Sequence, residues 1–169
     1  MPNTYEPIAT TVLTGTASNL TISNIPSTYT DLRIVFSGLV TTSNAFYLRF
    51  NGDTNANYSY TYFYSYGAGV GTSTSGNGSE ILMDAVLGQK TDQFFTYELD
   101  ILNYTSSANK NILHKFSASY NTSSGGAVTR YVNGWRNSSA VSSIVITRAN
   151  GTSTIATGSR LTVWGILKA

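Results

Sequence analysis

Between positions 58 and 66 the chain reads Tyr58-Ser59-Tyr60-Thr61-Tyr62-Phe63-Tyr64-Ser65-Tyr66, with tyrosine at every second position. In an extended strand, successive side chains point to opposite faces. Tyr58, Tyr60, Tyr62, Tyr64 and Tyr66 therefore form one row, with Ser59, Thr61, Phe63 and Ser65 behind it. A helix would scatter the same tyrosines around its axis. Period and residue type together predict a β-strand, and at about 3.3 Å per residue the row runs roughly 27 Å.

A tyrosine carries about 150–250 Å² of surface, and a soluble monomer usually exposes apolar patches of no more than about 300–600 Å². Something is expected to cover part of the row: the chain's own second sheet, a neighbouring subunit, or a stacked carbohydrate. The five tyrosines are the candidate interface.

The rest of the composition agrees with a sheet protein. Charged residues make up 11% of the 169 positions, about half the usual share. Lys and Glu, which solvate exposed helix faces, are scarce, whereas Ser, Thr, Asn and Gly are abundant. A net charge of +2 with dispersed arginines is no nucleic-acid footprint. There is no cysteine, so disulfides and thiolate metal sites are excluded. No apolar run approaches the ~20 residues of a membrane span. Residues 1–7 lack the basic and apolar regions of a signal peptide. Synthesis in a cytoplasm is the expectation.

Alternating patterns predict strands over 5–13, around Leu20 and Ile22, and over 31–38, 46–50 and 58–66. Further strands are expected over 80–86, 94–104, 112–120, 128–135, 141–148 and 160–167. Turn signals such as Asn51-Gly52 and Asn150-Gly151 separate them. The segment 67–78 is rich in Gly, Ser and Thr without a hydrophobic period, and reads as a flexible loop. Roughly nine to eleven short strands predict an all-β fold: a two-sheet antiparallel β-sandwich, jelly-roll-like, with about four strands per sheet. One domain spanning 1–169 is expected.

Catalytic signals are weak. His114, the one histidine, lies mid-strand with no G-x-S-x-G elbow anywhere in the chain, and reads as a sheet residue. Glu98 with Asp100, and Glu80 with Asp84, share strand faces. Such pairs could serve a glycosidase, but ordinary polar exposure produces the same spacing. No catalytic, cofactor or metal residue is assigned. The stretch from Asn51 to Asn57 places oxygen donors at alternate positions, yet lacks the closing Glu of an EF-hand loop. A turn with Asx hydrogen bonds is the reading there, with calcium as the open alternative. The N-x-S/T triplets follow from the abundance of those residues, and no phosphate-binding loop is present.

Several motifs resemble a family. Tyr5-Glu6-Pro7-Ile8-Ala9 is followed by Ile25-Pro26-Ser27-Thr28-Tyr29-Thr30-Asp31-Leu32, then by Leu48-Arg49-Phe50-Asn51-Gly52-Asp53 and Asn57-Tyr58-Ser59-Tyr60. The last strand carries Leu161-Thr162-Val163-Trp164-Gly165-Ile166. This pattern is similar to small virion structural proteins of tailed bacteriophages. The resemblance implies a structural role without an active site. It implies a capsid decoration or cement protein located in the virion, a homo-oligomer with a trimer favoured, and the major capsid protein or other virion proteins as partners. Low charge and the aromatic row suit assembly through sheet surfaces. The alternative is a tail- or fibre-associated receptor-binding module for cell-surface glycan. Tyr131, Asn133 and Trp135, on one face of their strand, are the candidate glycan site. Neither reading calls for nucleic acid, a membrane or a cofactor. A hydrolase built on the carboxylate pairs is the third.

Overall fold

The computed structural model describes residues 5–39, 45–66, 69–83, 95–119, 126–148 and 154–167. They form twelve strands: β1 (Tyr5–Val12), β2 (Asn19–Ile22), β3 (Asp31–Gly38), β4 (Phe46–Phe50), β5 (Tyr58–Tyr66), β6 (Gly69–Gly78), β7 (Ile81–Leu82), β8 (Phe95–Leu102), β9 (Lys110–Ser119), β10 (Gly126–Trp135), β11 (Ile144–Arg148) and β12 (Arg160–Ile166). One sheet has eight strands in the order β1-β12-β3-β8-β9-β10-β5-β6, and the other has four in the order β2-β11-β4-β7. All pairings between these strands are antiparallel. The protein is an all-β, two-sheet antiparallel sandwich of jelly-roll-like form. The sheets are unequal, eight strands and four, where an even division was expected.

Alternation in the sequence becomes burial in the fold. Leu32, Ile34 and Phe36 on β3, Phe95, Tyr97, Leu99 and Ile101 on β8, and Phe46, Leu48 and Phe50 on β4 all face inward and are buried. Phe46 bridges the two sheets. Its ring lies 5.0 Å from Phe36, 5.0 Å from Phe95 and 5.8 Å from Tyr97. At the other end of β4, Phe50 packs 5.3 Å from Trp135 and 6.4 Å from Tyr58. Each such side chain contributes about 1.5–3 kcal/mol by leaving water.

The Asn51-Gly52 turn forms as expected, with φ of 53° and 67°. The expected loop over 67–78 is corrected, because residues 69–78 are β6, hydrogen-bonded along β5. Its glycines and hydroxyls show no period because both of its faces are largely exposed. Pairing with β5, rather than burial, makes it a strand. Gly71 lies opposite Tyr64, and a Cβ there would stand 2.7 Å from the tyrosine ring. Of the strand expected over 80–86, Ile81–Leu82 is strand β7; residues 84–86 lie outside the described residues.

Phe46→Ala is expected to cost about 3–5 kcal/mol, because it empties the contact between sheets and leaves a cavity. Chemical denaturation with the m-value held constant measures it; a loss under about 1 kcal/mol would show that the core collapses into the gap.

Candidate functional site

The tyrosines of β5 form one row, on the inner face of the large sheet. Register sets what lies beside them. Tyr58 faces Trp135, Tyr60 faces Asn133, Tyr62 faces Tyr131, Tyr64 faces Thr129 and Tyr66 faces Ala127. On the far side of β10, Tyr131 faces His114 of β9. Toward the sheet edge, Gly71, Ser73 and Ser75 of β6 lie opposite Tyr64, Tyr62 and Tyr60.

Burial divides this patch in two. Tyr58 is 1% exposed and belongs to the core. Its hydroxyl accepts from the Phe50 N–H at 3.0 Å. Burial pushes its pKa up to about 12. Tyr60, Tyr62, Tyr64 and Tyr66 are half-buried. Their rings follow one another, Tyr60 to Tyr62 at 5.7 Å and Tyr62 to Tyr64 at 6.0 Å, tilted by 40° and 39°.

Beside them, on β10 and β9, the inner face is buried and carries polar groups. The His114 ring is stacked on Tyr131 at 4.4 Å and 15°, with Tyr97 5.7 Å away. Tyr131 in turn lies 4.8 Å from Tyr62. His114, Thr129 and Asn133 are at most 1% exposed. Both imidazole nitrogens, the Thr129 hydroxyl, and the amide nitrogen and oxygen of Asn133 have no hydrogen-bond partner. An unmet buried polar group costs about 1–3 kcal/mol, and native folds contain few of them. Here they cluster on two neighbouring strands. Burial also holds the His114 pKa down at about 3, so the ring is neutral and offers one donor and one acceptor.

The residues weighed for glycan lie on the inner face of β10. Trp135, Tyr131 and Asn133 share a face as predicted, but that face is the inner one, and they are 0%, 3% and 1% exposed. Trp135 is a core residue whose indole N–H donates to Asp53 Oδ2 at 2.8 Å. Tyr131 and Asn133 are adjacent to the tyrosine row. The sequence reasoning passed over Thr129 and the hydroxyls of Ser73 and Ser75. A threonine in a strand and serines in a glycine-rich run carry no signal until pairing sets them beside tyrosine.

The turn weighed for calcium is built on Asp53. Its carboxylate accepts from the Asn55 N–H at 2.9 Å, Asn57 Nδ2 at 2.8 Å, Trp135 Nε1 and Asn137 Nδ2. Partial burial pushes the Asp53 pKa up, and these N–H donors together pull it well below the usual carboxylate range. Asn51 Oδ1 accepts from the N–H groups of Ser142 and Ser143. N–H donors thus point at oxygens that a cation would need. The arrangement is a hydrogen-bonded Asx turn.

The carboxylate pairs are tied to cations. Asp100 takes both N–H arms of Arg33 at 2.6 and 3.0 Å, Glu98 pairs with Lys115, and Glu80 with Arg49 at 2.7 Å. Asp84 lies outside the described residues. Among the described residues no cluster of three or more His, Cys, Asp or Glu could hold a metal.

No family model matches this chain, and no curated protein does. Among solved structures, a galectin of Caenorhabditis elegans is matched over 94% of this chain and 96% of its own, with 10% identity and a TM-score of 0.39. The expected kinship with phage virion proteins is corrected: no family model and no curated protein carries it. The capsid decoration reading, the trimer, the capsid partners and the virion location go with it.

The depressed pKa values set the acid sensitivity. Unfolding lets His114 return to a pKa of about 6.5, so the unfolded state binds the extra proton first. Stability is expected to fall as pH drops below about 6.5, by up to about 1.4 kcal/mol per pH unit, until the folded-state value near 3 is reached. Asp53 adds a second loss below about pH 4, where its unfolded carboxylate protonates. Denaturation across pH 3–8 for the parent and His114→Phe checks this: the variant keeps the second loss and lacks the first. Equal profiles would refute the role given to His114.

Proposed function

We propose that this protein is a non-enzymatic carbohydrate-binding β-sandwich, with its site on the tyrosine row of β5. The observation that carries the proposal is the half-buried run Tyr60, Tyr62, Tyr64 and Tyr66 lying directly beside the unpartnered polar groups of Thr129 and Asn133, with His114 one strand further.

A sugar suits such a row. Its C–H faces pack on aromatic rings, which have large apolar bodies and hydroxyl tips. Its hydroxyls each donate and accept, matching the phenol hydroxyls of the half-buried tyrosines and the edge hydroxyls of Ser73 and Ser75. Sites of this kind combine aromatic lining with a few placed polar groups. The inner-face positions of the patch, His114 on β9, Thr129, Tyr131 and Asn133 on β10, and Gly71, Ser73 and Ser75 on β6, carry no acid and no lysine or arginine; Lys115 and Arg130 alternate onto the other face. That favours neutral saccharides. Of the acids weighed for hydrolysis, Glu98, Asp100 and Glu80 sit in ion pairs, and the reading assigns no catalytic step.

Tyr62 is the residue to remove, because it touches Tyr60, Tyr64 and Tyr131. Glycan-array screening followed by calorimetry on the best neutral oligosaccharide is the test. Tyr62→Ala is expected to weaken binding about tenfold, a ring contact contributing about 0.5–1.5 kcal/mol beyond its buried area, while the amide NMR spectrum keeps the native dispersion. Absence of binding to any neutral saccharide, or unchanged affinity in the variant, refutes the proposal.

A further inference from the structure

The outer face of the large sheet carries a second depression, distant in strand order from the tyrosines. It is lined by Thr10, Val35, Ser37, Arg160, Thr162 and Trp164, with a volume of about 340 Å³. A smaller hollow of about 180 Å³, lined by Val12, Ser37, Gly158 and Arg160, adjoins it. Register explains the shape. Arg160, Thr162 and Trp164 alternate along β12 on the outer face. Thr10 of β1 and Val35 of β3 flank Thr162, and Val12 and Ser37 flank Arg160. Short side chains thus form a floor between two tall ones, which stand about 13 Å apart along the strand at the usual rise.

The chemistry of the two ends differs. Trp164 is half-buried and presents an aromatic wall. Arg160 is exposed, and among the described residues its guanidinium has no acidic partner. Its direct neighbours, Val12 and Ser37, are uncharged. The nearby Arg33 is different: Asp100 takes it in a two-pronged pair, and it also lies over the Tyr5 ring. Arg160 is therefore the uncompensated cation of this corner. Between the two ends, Thr10 and Thr162 join hydroxyls at 3.1 Å, and Ser37 adds a third hydroxyl.

We propose that this groove is a second ligand site, for an acidic oligosaccharide, one ring of which packs on Trp164 while the carboxylate of another of its residues pairs with Arg160. A planar guanidinium matches a carboxylate with two parallel hydrogen bonds. The threonine and serine hydroxyls meet sugar hydroxyls along the floor. A ring alone would not use Arg160, and a bare anion would not use Trp164. The proposal stands apart from the tyrosine face: it uses the opposite side of the sheet and none of the same residues.

Tryptophan fluorescence reads the site directly, because Trp135 is buried and Trp164 is the tryptophan within reach of a ligand. Short oligogalacturonates are titrated against the same oligosaccharides after carboxyl reduction, with inorganic phosphate as a separate arm. A saturable change is expected with the acidic oligomer, at least tenfold weaker for the reduced one, and absent for phosphate. Arg160→Gln is expected to lose about tenfold in affinity, because it removes the charge from the hydrogen-bonded pair. Trp164→Phe removes the signal, and calorimetry then follows binding. Tyr62→Ala leaves this titration unchanged whether or not the tyrosine face binds neutral sugar, so the two proposals fail separately. Equal binding of acidic and reduced oligomers, saturable binding of phosphate, or an Arg160→Gln variant with parent affinity each overturns the assignment.

Discussion

A narrow sheet is packed on a wide one, and most of the molecule's character follows from that mismatch. With strands about 4.8 Å apart, eight span roughly 34 Å and four only roughly 14 Å. The small sheet seals the inner face where Phe46 and Phe50 reach Phe36, Tyr97, Trp135 and Tyr58. It leaves β5 and β6 at one flank. A strand there needs side chains that tolerate both burial and water. Tyrosine does, and the row changes from core at Tyr58 to half-exposed platform from Tyr60 onward.

At the boundary between the two regions several buried polar atoms are left unmet. Trp135 and Tyr58 are anchored by Asp53 and by the Phe50 backbone, so the core side of the boundary is satisfied. Two and six residues back along β10 from Trp135, Asn133 and Thr129 have no partner, and neither has His114 on the neighbouring strand. Apolar residues at those positions would make a more stable sandwich. That the chain places amide, hydroxyl and imidazole together beside open tyrosines is the reason to read the patch as a binding surface rather than as packing.

The outer face obeys another rule. Solvent meets every strand there, and the chain uses isolated ion pairs, hydroxyls and scattered apolar residues. Phe63, Val70, Val128 and Val132 are exposed on its β10-β5-β6 side, so the largest exposed apolar side chains stand behind the tyrosines rather than among them. At the β1-β12-β3 side, small floor residues between Trp164 and Arg160 leave a groove. Opposite faces of one sheet thus present different chemistry.

Most of the strands were legible because burial imposes a period of two, as on β3, β8 and β10, where alternate residues are buried. The common face of Tyr131, Asn133 and Trp135 was legible for the same reason. Which face is inward was not, since alternation has no sign until a second sheet chooses one side. Strand β6 escaped because a sheet edge exposed on both faces needs no hydrophobic pattern, only a partner backbone. The family motifs were misleading: short turn-and-strand phrases recur wherever the same local geometry is required. By itself, the sequence determined the β class, the single-face tyrosine row, the Asn51-Gly52 turn and the lack of thiol chemistry, all consequences of local backbone preference and side-chain type. Tertiary structure alone decided the unequal sheets, the burial of Trp135 and the meeting of His114, Thr129 and Asn133 beside the tyrosines, because strand order and register join residues that lie far apart along the chain.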